Sequence, residues 1–139
     1  MLTPPEAPLR ETPLDESPFK GKRGLARIFN AFLNSIEGLR DAWRHESAFR
    51  QEVLLAVVLI PVACYVPMSG LERAALIAAP LLVIVVELLN SSVEAAIDRI
   101  SLDHHRLSKR AKDLGSAAVF VALMLLALVW GLVLPPHVL

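Results

Sequence analysis

The run VVELLNSSVEAAIDRI, residues 85–100, carries Glu87, Asn90, Glu94 and Asp98 directly after the apolar stretch AALIAAPLLVIVV. With Glu87 as zero on a helical wheel, Asn90 falls at about −60°, Ser91 at about +40°, Glu94 at about −20° and Asp98 at about +20°. The polar residues therefore form one stripe on an otherwise apolar helix. Facing lipid, such a stripe would cost several kcal/mol per charge, so it must face protein, water or a bound cation. Carboxylate and amide oxygens are the hard ligands that Mg²⁺ or Ca²⁺ takes. A polar seam bonded across helices is a second use of the pattern, and a proton or ion pathway a third.

Two further constellations bear on the choice. Arg106, Lys109, Arg110 and Lys112 cluster in the stretch SLDHHRLSKRAKD, residues 101–113. They could mark the cytoplasmic side of a membrane protein or attract anionic lipid. They could equally bind phosphate beside a cation held by the acids, as a nucleotide requires. Glu46, in WRHESAFRQE, gains chemical interest only if folding brings it to Glu94. His104 and His105 are adjacent, which on a helix sets them about 100° apart and does not suit a two-histidine metal site. The chain has no phosphate-binding G-x-x-x-x-G-K-[ST] loop, no G-x-G-x-x-G and no H-E-x-x-H.

The elements that must position these groups follow from composition and periodicity. The chain has 139 residues, formal net charge zero and 55% hydrophobic residues, which is too apolar for a soluble domain of this size. Cys64 is the single cysteine, so an intrachain disulfide framework and a cysteine-based zinc site are excluded. Residues 1–20 hold Pro4, Pro5, Pro8, Pro13 and Pro18 among acids, with no apolar h-region, and read as a disordered tail rather than a signal peptide.

The periodicity predicts an all-α integral membrane fold in residues 21–139. In residues 25–45, Leu25, Ile28, Phe29, Phe32, Ile36, Leu39 and Trp43 share one face, as in an amphipathic helix lying in the membrane interface. Three transmembrane helices follow, at residues 48–68, 71–100 and 114–134. Pro61 should kink the first. The second, bent at Pro80, reaches about 45 Å and should project its polar end beyond the hydrocarbon core. The third contains eighteen uncharged residues, 117–134, with Trp130 suited to the far interface. Lys and Arg concentrate before the first span and between the last two. This predicts a cytoplasmic N-terminus, an outer turn at 69–73, a cytoplasmic loop at 101–113 and an outer C-terminus.

The segments GLRDAWRHESAFRQE, ELLNSSVEAAIDRI and LSKRAKDLGSAAVF strongly resemble the prokaryotic diacylglycerol kinase family, over about residues 25–134. These are small three-span inner-membrane enzymes unrelated to soluble kinases. The resemblance implies transfer of the ATP γ-phosphoryl group to 1,2-diacylglycerol, with Mg²⁺ as cofactor, in a homotrimer with sites built between subunits. Some family members phosphorylate undecaprenol instead, and an oligomeric cation pathway without chemistry is the reading from another class. By residue, the family implies Glu87 as general base, Asn90 as an active-site asparagine, and Glu46 and Glu94 as metal ligands. Arg27, Asn34, Glu46, Glu94, Asp103, His105, Lys112 and Asp113 match nucleotide-binding positions. Arg27, Ser35, Arg40, Trp43, Glu87 and Ser116 match lipid-binding positions. Relatives often carry Tyr-Ser-Trp where this chain has Asn34-Ser35-Ile36, and Glu-Tyr-His where it has Asp103-His104-His105.

Overall fold

The computed structural model describes residues 24–100 and 105–138. The tail expected at residues 1–20 lies outside them. Every described element is helical: α1 (Leu25–His45), α2 (Ser47–Tyr65), α3 (Gly70–Ile100), α4 (Arg106–Val133) and a short α5 (Pro135–Val138). Three of these, α2, α3 and α4, are long and apolar enough to cross a membrane. By internal contacts the chain divides into two units, residues 1–36 and 37–139, with the boundary inside α1.

In the first unit α1 presents exposed Leu25, Ile28, Phe29 and Phe32, the residues that the wheel puts on one face. In the second unit Leu39 and Trp43 of α1 are exposed.

The second unit is organised around α3, which packs on both α2 and α4. Its core is made of small and branched side chains: Ala79 and Val83 from α3, Ala122 and Leu126 from α4, with Leu59, Val86, Val129 and Trp130 packed against them. Alanines let helix backbones approach closely, which drives association where lipid removes the hydrophobic incentive. Outward, Leu54, Val57, Val58, Phe120, Val121, Leu128 and Leu132 are exposed. In water so large an apolar surface would aggregate, whereas lipid tails solvate it.

Two polar devices tie the helix ends opposite the acidic stripe. Ser69 and Glu72 form a reciprocal cap at the start of α3. The Ser69 N–H and hydroxyl donate to Glu72 Oε2 at 2.8 and 2.6 Å, and the Glu72 N–H donates to Ser69 Oγ at 3.3 Å. His137 Nε2 lies 3.2 Å from Glu72 Oε1, linking α5 to the same cap.

Pro80 sits inside α3 and is fully buried. A proline in a helix interior leaves the carbonyl four residues earlier without its N–H partner. That carbonyl belongs to Leu76, and the Trp130 indole N–H donates to it at 3.0 Å. Trp130 therefore packs against the core with its N–H turned to α3, where an unsatisfied carbonyl at membrane depth would cost several kcal/mol.

The structure differs from the sequence expectation at the start of α4. The basic stretch expected in a loop forms its first two turns, from Arg106 on. His105 caps that start, its Nδ1 accepting from the Leu107 N–H at 3.2 Å. Lys109 and Asp113, one turn apart, pair at 2.6 Å and support the helix along its side.

Candidate functional site

The site is built where the end of α3 meets the start of α2 and the first half of α4. Helix α1 ends at His45 and α2 begins at Ser47, so Glu46 is the hinge between them. Its backbone N–H donates to the Ala42 carbonyl at 2.8 Å. Arg50 closes the turn by donating from Nη1 to the carbonyls of Trp43 and Arg44, at 3.0 and 3.3 Å. Glu46 occupies the N-cap position of α2, where an acid commonly bonds the first free N–H groups. It makes no such bond, and its side chain lines the cleft instead.

The cleft has a volume of about 290 Å³ and is lined by Glu46, Ser47, Ala48, Glu87, Asn90, Ser91, Glu94, Ser116 and Val119. Glu87 lies deepest and is almost fully buried, 4% exposed. Seven residues on, Glu94 stands about 10 Å farther along the same face of α3. Asn90 sits between them and donates from Nδ2 to Glu94 Oε1 at 3.3 Å. The charges of Glu46 and Glu94 both act on Glu87, so the cleft concentrates negative potential and favours a cation.

The other side of the Asn90 amide explains a glycine. Asn90 Oδ1 is buried without a hydrogen-bond partner and rests against Gly115 of α4. A Cβ at position 115 would collide with that oxygen. Gly115 thus lets α4 approach closely enough to trap the Asn90 amide in one orientation.

Six of the residues singled out from the sequence converge on this cleft: Glu46, Glu87, Asn90, Ser91, Glu94 and Ser116. Lys112 and Asp113 do not line it. Lys112 pairs with Asp98 at 2.6 Å, and Asp113 with Lys109. His105 caps α4 through Nδ1, which accepts from the Leu107 N–H. Arg40 and Trp43 are exposed on α1 and do not line the cleft. Arg27, Asn34 and Ser35 belong to the first unit, where the Ser35 hydroxyl donates to the Ala31 carbonyl at 2.8 Å. Asp103 lies outside the described residues.

Among the described residues no three His, Cys, Asp or Glu side chains form a group able to hold a metal by themselves. The cleft offers two carboxylates near its mouth, Glu46 and Glu94. That donor set fits Mg²⁺, which usually takes one or two carboxylates and completes its shell with water and substrate phosphates. It does not fit a closed structural metal site.

Comparison with known proteins decides the family. The model of the family described as prokaryotic diacylglycerol kinase matches residues 33–134. The chain belongs to the prokaryotic diacylglycerol kinase family. It is 55% identical over 121 residues to the diacylglycerol kinase of Pseudomonas aeruginosa, covering 87% of this chain and 98% of the relative. It is 43% identical over 114 residues to the Escherichia coli K12 diacylglycerol kinase, covering 82% and 93%. For the Haemophilus influenzae diacylglycerol kinase the figures are 45% over 108 residues, 78% and 92%. The family resemblance read from the E-x-x-N-S-x-x-E run is thereby borne out. With three apolar helices of spanning length, this member of the prokaryotic diacylglycerol kinase family is a multi-pass membrane protein.

One acid escaped the sequence reading of this family member. Glu52 of α2 is 8% exposed, its Oε2 has no partner, and its charge repels that of Glu87. The signal was present: Phe49, Glu52, Ala56 and Ala63, the buried face of α2, follow helical spacing. Gly115 carried no signal, since its importance depends on which side chain faces it across the helix pair.

Proposed function

We propose that this protein transfers the γ-phosphoryl group of ATP to the primary hydroxyl of 1,2-diacylglycerol, giving phosphatidic acid and ADP. Family membership supports the reaction class, and the similarity to the diacylglycerol kinases of Pseudomonas aeruginosa and Escherichia coli supports the lipid. The observation that carries the residue assignment is the pair of glutamates at two depths of one cleft, Glu87 buried and Glu94 about 10 Å along the helix.

The lipid hydroxyl remains in the bilayer and ATP arrives from water, so the reacting atoms have to meet near the interface. In the proposed step the hydroxyl oxygen forms a bond to the γ-phosphorus, the bond to the β–γ bridging oxygen breaks, and ADP leaves. The hydroxyl proton passes to the Glu87 carboxylate. Asn90, held by Glu94 on one side and Gly115 on the other, orients the groups around that oxygen. Glu46 and Glu94 would hold Mg²⁺, which would neutralise charge on the phosphates. Phosphoryl transfer asks mainly for positioning and charge neutralisation, which matches a site with few groups and strong negative potential.

The other assignments extend the same reading. Lys112, Asp113, His105, Asp103, Arg27 and Asn34 serve the nucleotide; Arg27, Ser35, Arg40, Trp43 and Ser116 serve the lipid. The kinase unit is residues 21–139, α1 lies in the interface, and the working form is a homotrimer. The distribution of Lys and Arg supports an inner-membrane protein with a cytoplasmic N-terminus and cytoplasmic active face.

The test is a side-by-side assay of the purified protein with Mg-ATP and either diacylglycerol or undecaprenol in mixed micelles. Phosphatidic acid should form at least about tenfold faster than undecaprenyl phosphate, a modest discrimination for an apolar site. Preference for undecaprenol would overturn the lipid assignment, and absence of both products the kinase reading. Glu94→Gln gives a more local check. It should raise the Mg²⁺ concentration needed for half-maximal rate by about tenfold or more and weaken Mg-ATP binding. An unchanged Mg²⁺ titration would remove Glu94 from the metal site.

A further inference from the structure

Asp98 is the member of the α3 stripe that the proposed mechanism leaves without a task. Its Oδ1 accepts from Lys112 Nζ at 2.6 Å, joining the last turn of α3 to the second turn of α4. The neighbouring acid on α4, Asp113, is held by Lys109, one turn back on its own helix. The two acids and two lysines thus sort into separate pairs, and Asp113 does not compete for Lys112.

The stem of a lysine is flexible, and its ammonium carries three donors. Asp98 fixes one of them, which leaves two for an incoming ligand. Asp98 stands one helical turn, about 6 Å of rise, beyond Glu94 on the same face. The charge of Glu94 also reaches Lys112. Both partners of the ion pair are partly exposed, 37% for Lys112 and 49% for Asp98. A pair so exposed contributes little to folding stability. A role in stability is therefore a weak explanation for an acid at this point of the stripe.

We infer that Asp98 is a positioning residue for nucleotide binding: it holds the Lys112 ammonium one turn beyond Glu94, where the phosphates of a nucleotide bound at Glu94 meet it. The inference rests on the kinase reading above. It also opposes simple Coulomb expectation. Deleting a negative charge near a polyphosphate should tighten binding, whereas loss of a positioning residue should weaken it. The sign of the change separates the two.

The experiment measures Mg-ATP binding directly, with a fluorescent ATP analogue on the full-length protein in detergent, alongside steady-state kinetics with diacylglycerol. Asp98→Asn should raise the dissociation constant and the KM for Mg-ATP about fivefold, with kcat and the lipid KM within about twofold of the parent. Asp98→Glu should recover most of the loss. In a Lys112→Met background, Asp98→Asn should add nothing further to the dissociation constant. Unchanged or tighter binding in Asp98→Asn overturns the inference, as does an equal loss in the Lys112→Met background. A protein that binds Mg-ATP in this pattern but leaves diacylglycerol unphosphorylated would sink the lipid reading and leave the role of Asp98 standing.

Discussion

Exchanging Glu87 for Gln lowers kcat by at least about 10²-fold and leaves Mg-ATP affinity within about twofold, the result expected for loss of a proton acceptor that does not touch the nucleotide. The two side chains have nearly the same shape, so the cleft keeps its form. Only the capacity to take a proton from the lipid hydroxyl is lost. Unfolding is an unattractive alternative for this variant. Glu87 is buried among the charges of Glu46, Glu94 and Glu52, and an uncharged amide relieves that repulsion. The variant should therefore be at least as stable as the parent. Rates in mixed micelles, calorimetric titration with Mg-ATP and thermal melts of the same preparation check all three points. Near-normal turnover would end the assignment of Glu87 as base.

Gly115→Ala should cost about 10–10² in kcat/KM without loss of stability, because it acts on geometry alone. Alanine is the better helix former by about 1 kcal/mol, so α4 gains intrinsically. The added methyl nevertheless occupies the place of Asn90 Oδ1. The amide has to swing aside, and its Nδ2–H bond to Glu94 goes with it. Displacing a positioning group by about 1 Å can cost as much as 10²-fold in rate. The route is tested by a double-mutant cycle. In an Asn90→Ala background, Gly115→Ala should have almost no further effect on rate. Additive losses would show that position 115 acts by some path other than Asn90.

How far the molecule is legible from its sequence depends on the distance over which each feature is determined. The polar stripe of α3 follows from residues within one helix, and Glu46, Glu87, Asn90, Glu94 and Ser116 do converge. The three apolar helices are legible for the same reason. The start of α4 is not, since hydropathy reports where lipid begins and a helix is free to continue into water. There the His105 cap and the Lys109–Asp113 pair sustain two more turns. The partner of the Trp130 indole is not legible either, since only the packing of α4 on α3 reveals the carbonyl it satisfies. Asn90 against Gly115, and Glu52 against Glu87, are likewise relations between helices that no single periodicity encodes.

Pro80 and Trp130 also bear on how this protein can change over generations. Loss of the indole alone strands the Leu76 carbonyl, and loss of the proline alone gives that carbonyl a second suitor. Each substitution is easier to accept once the other has occurred. Two positions fifty residues apart, on different helices, are therefore coupled, and loss of the proline lowers the cost of losing the tryptophan.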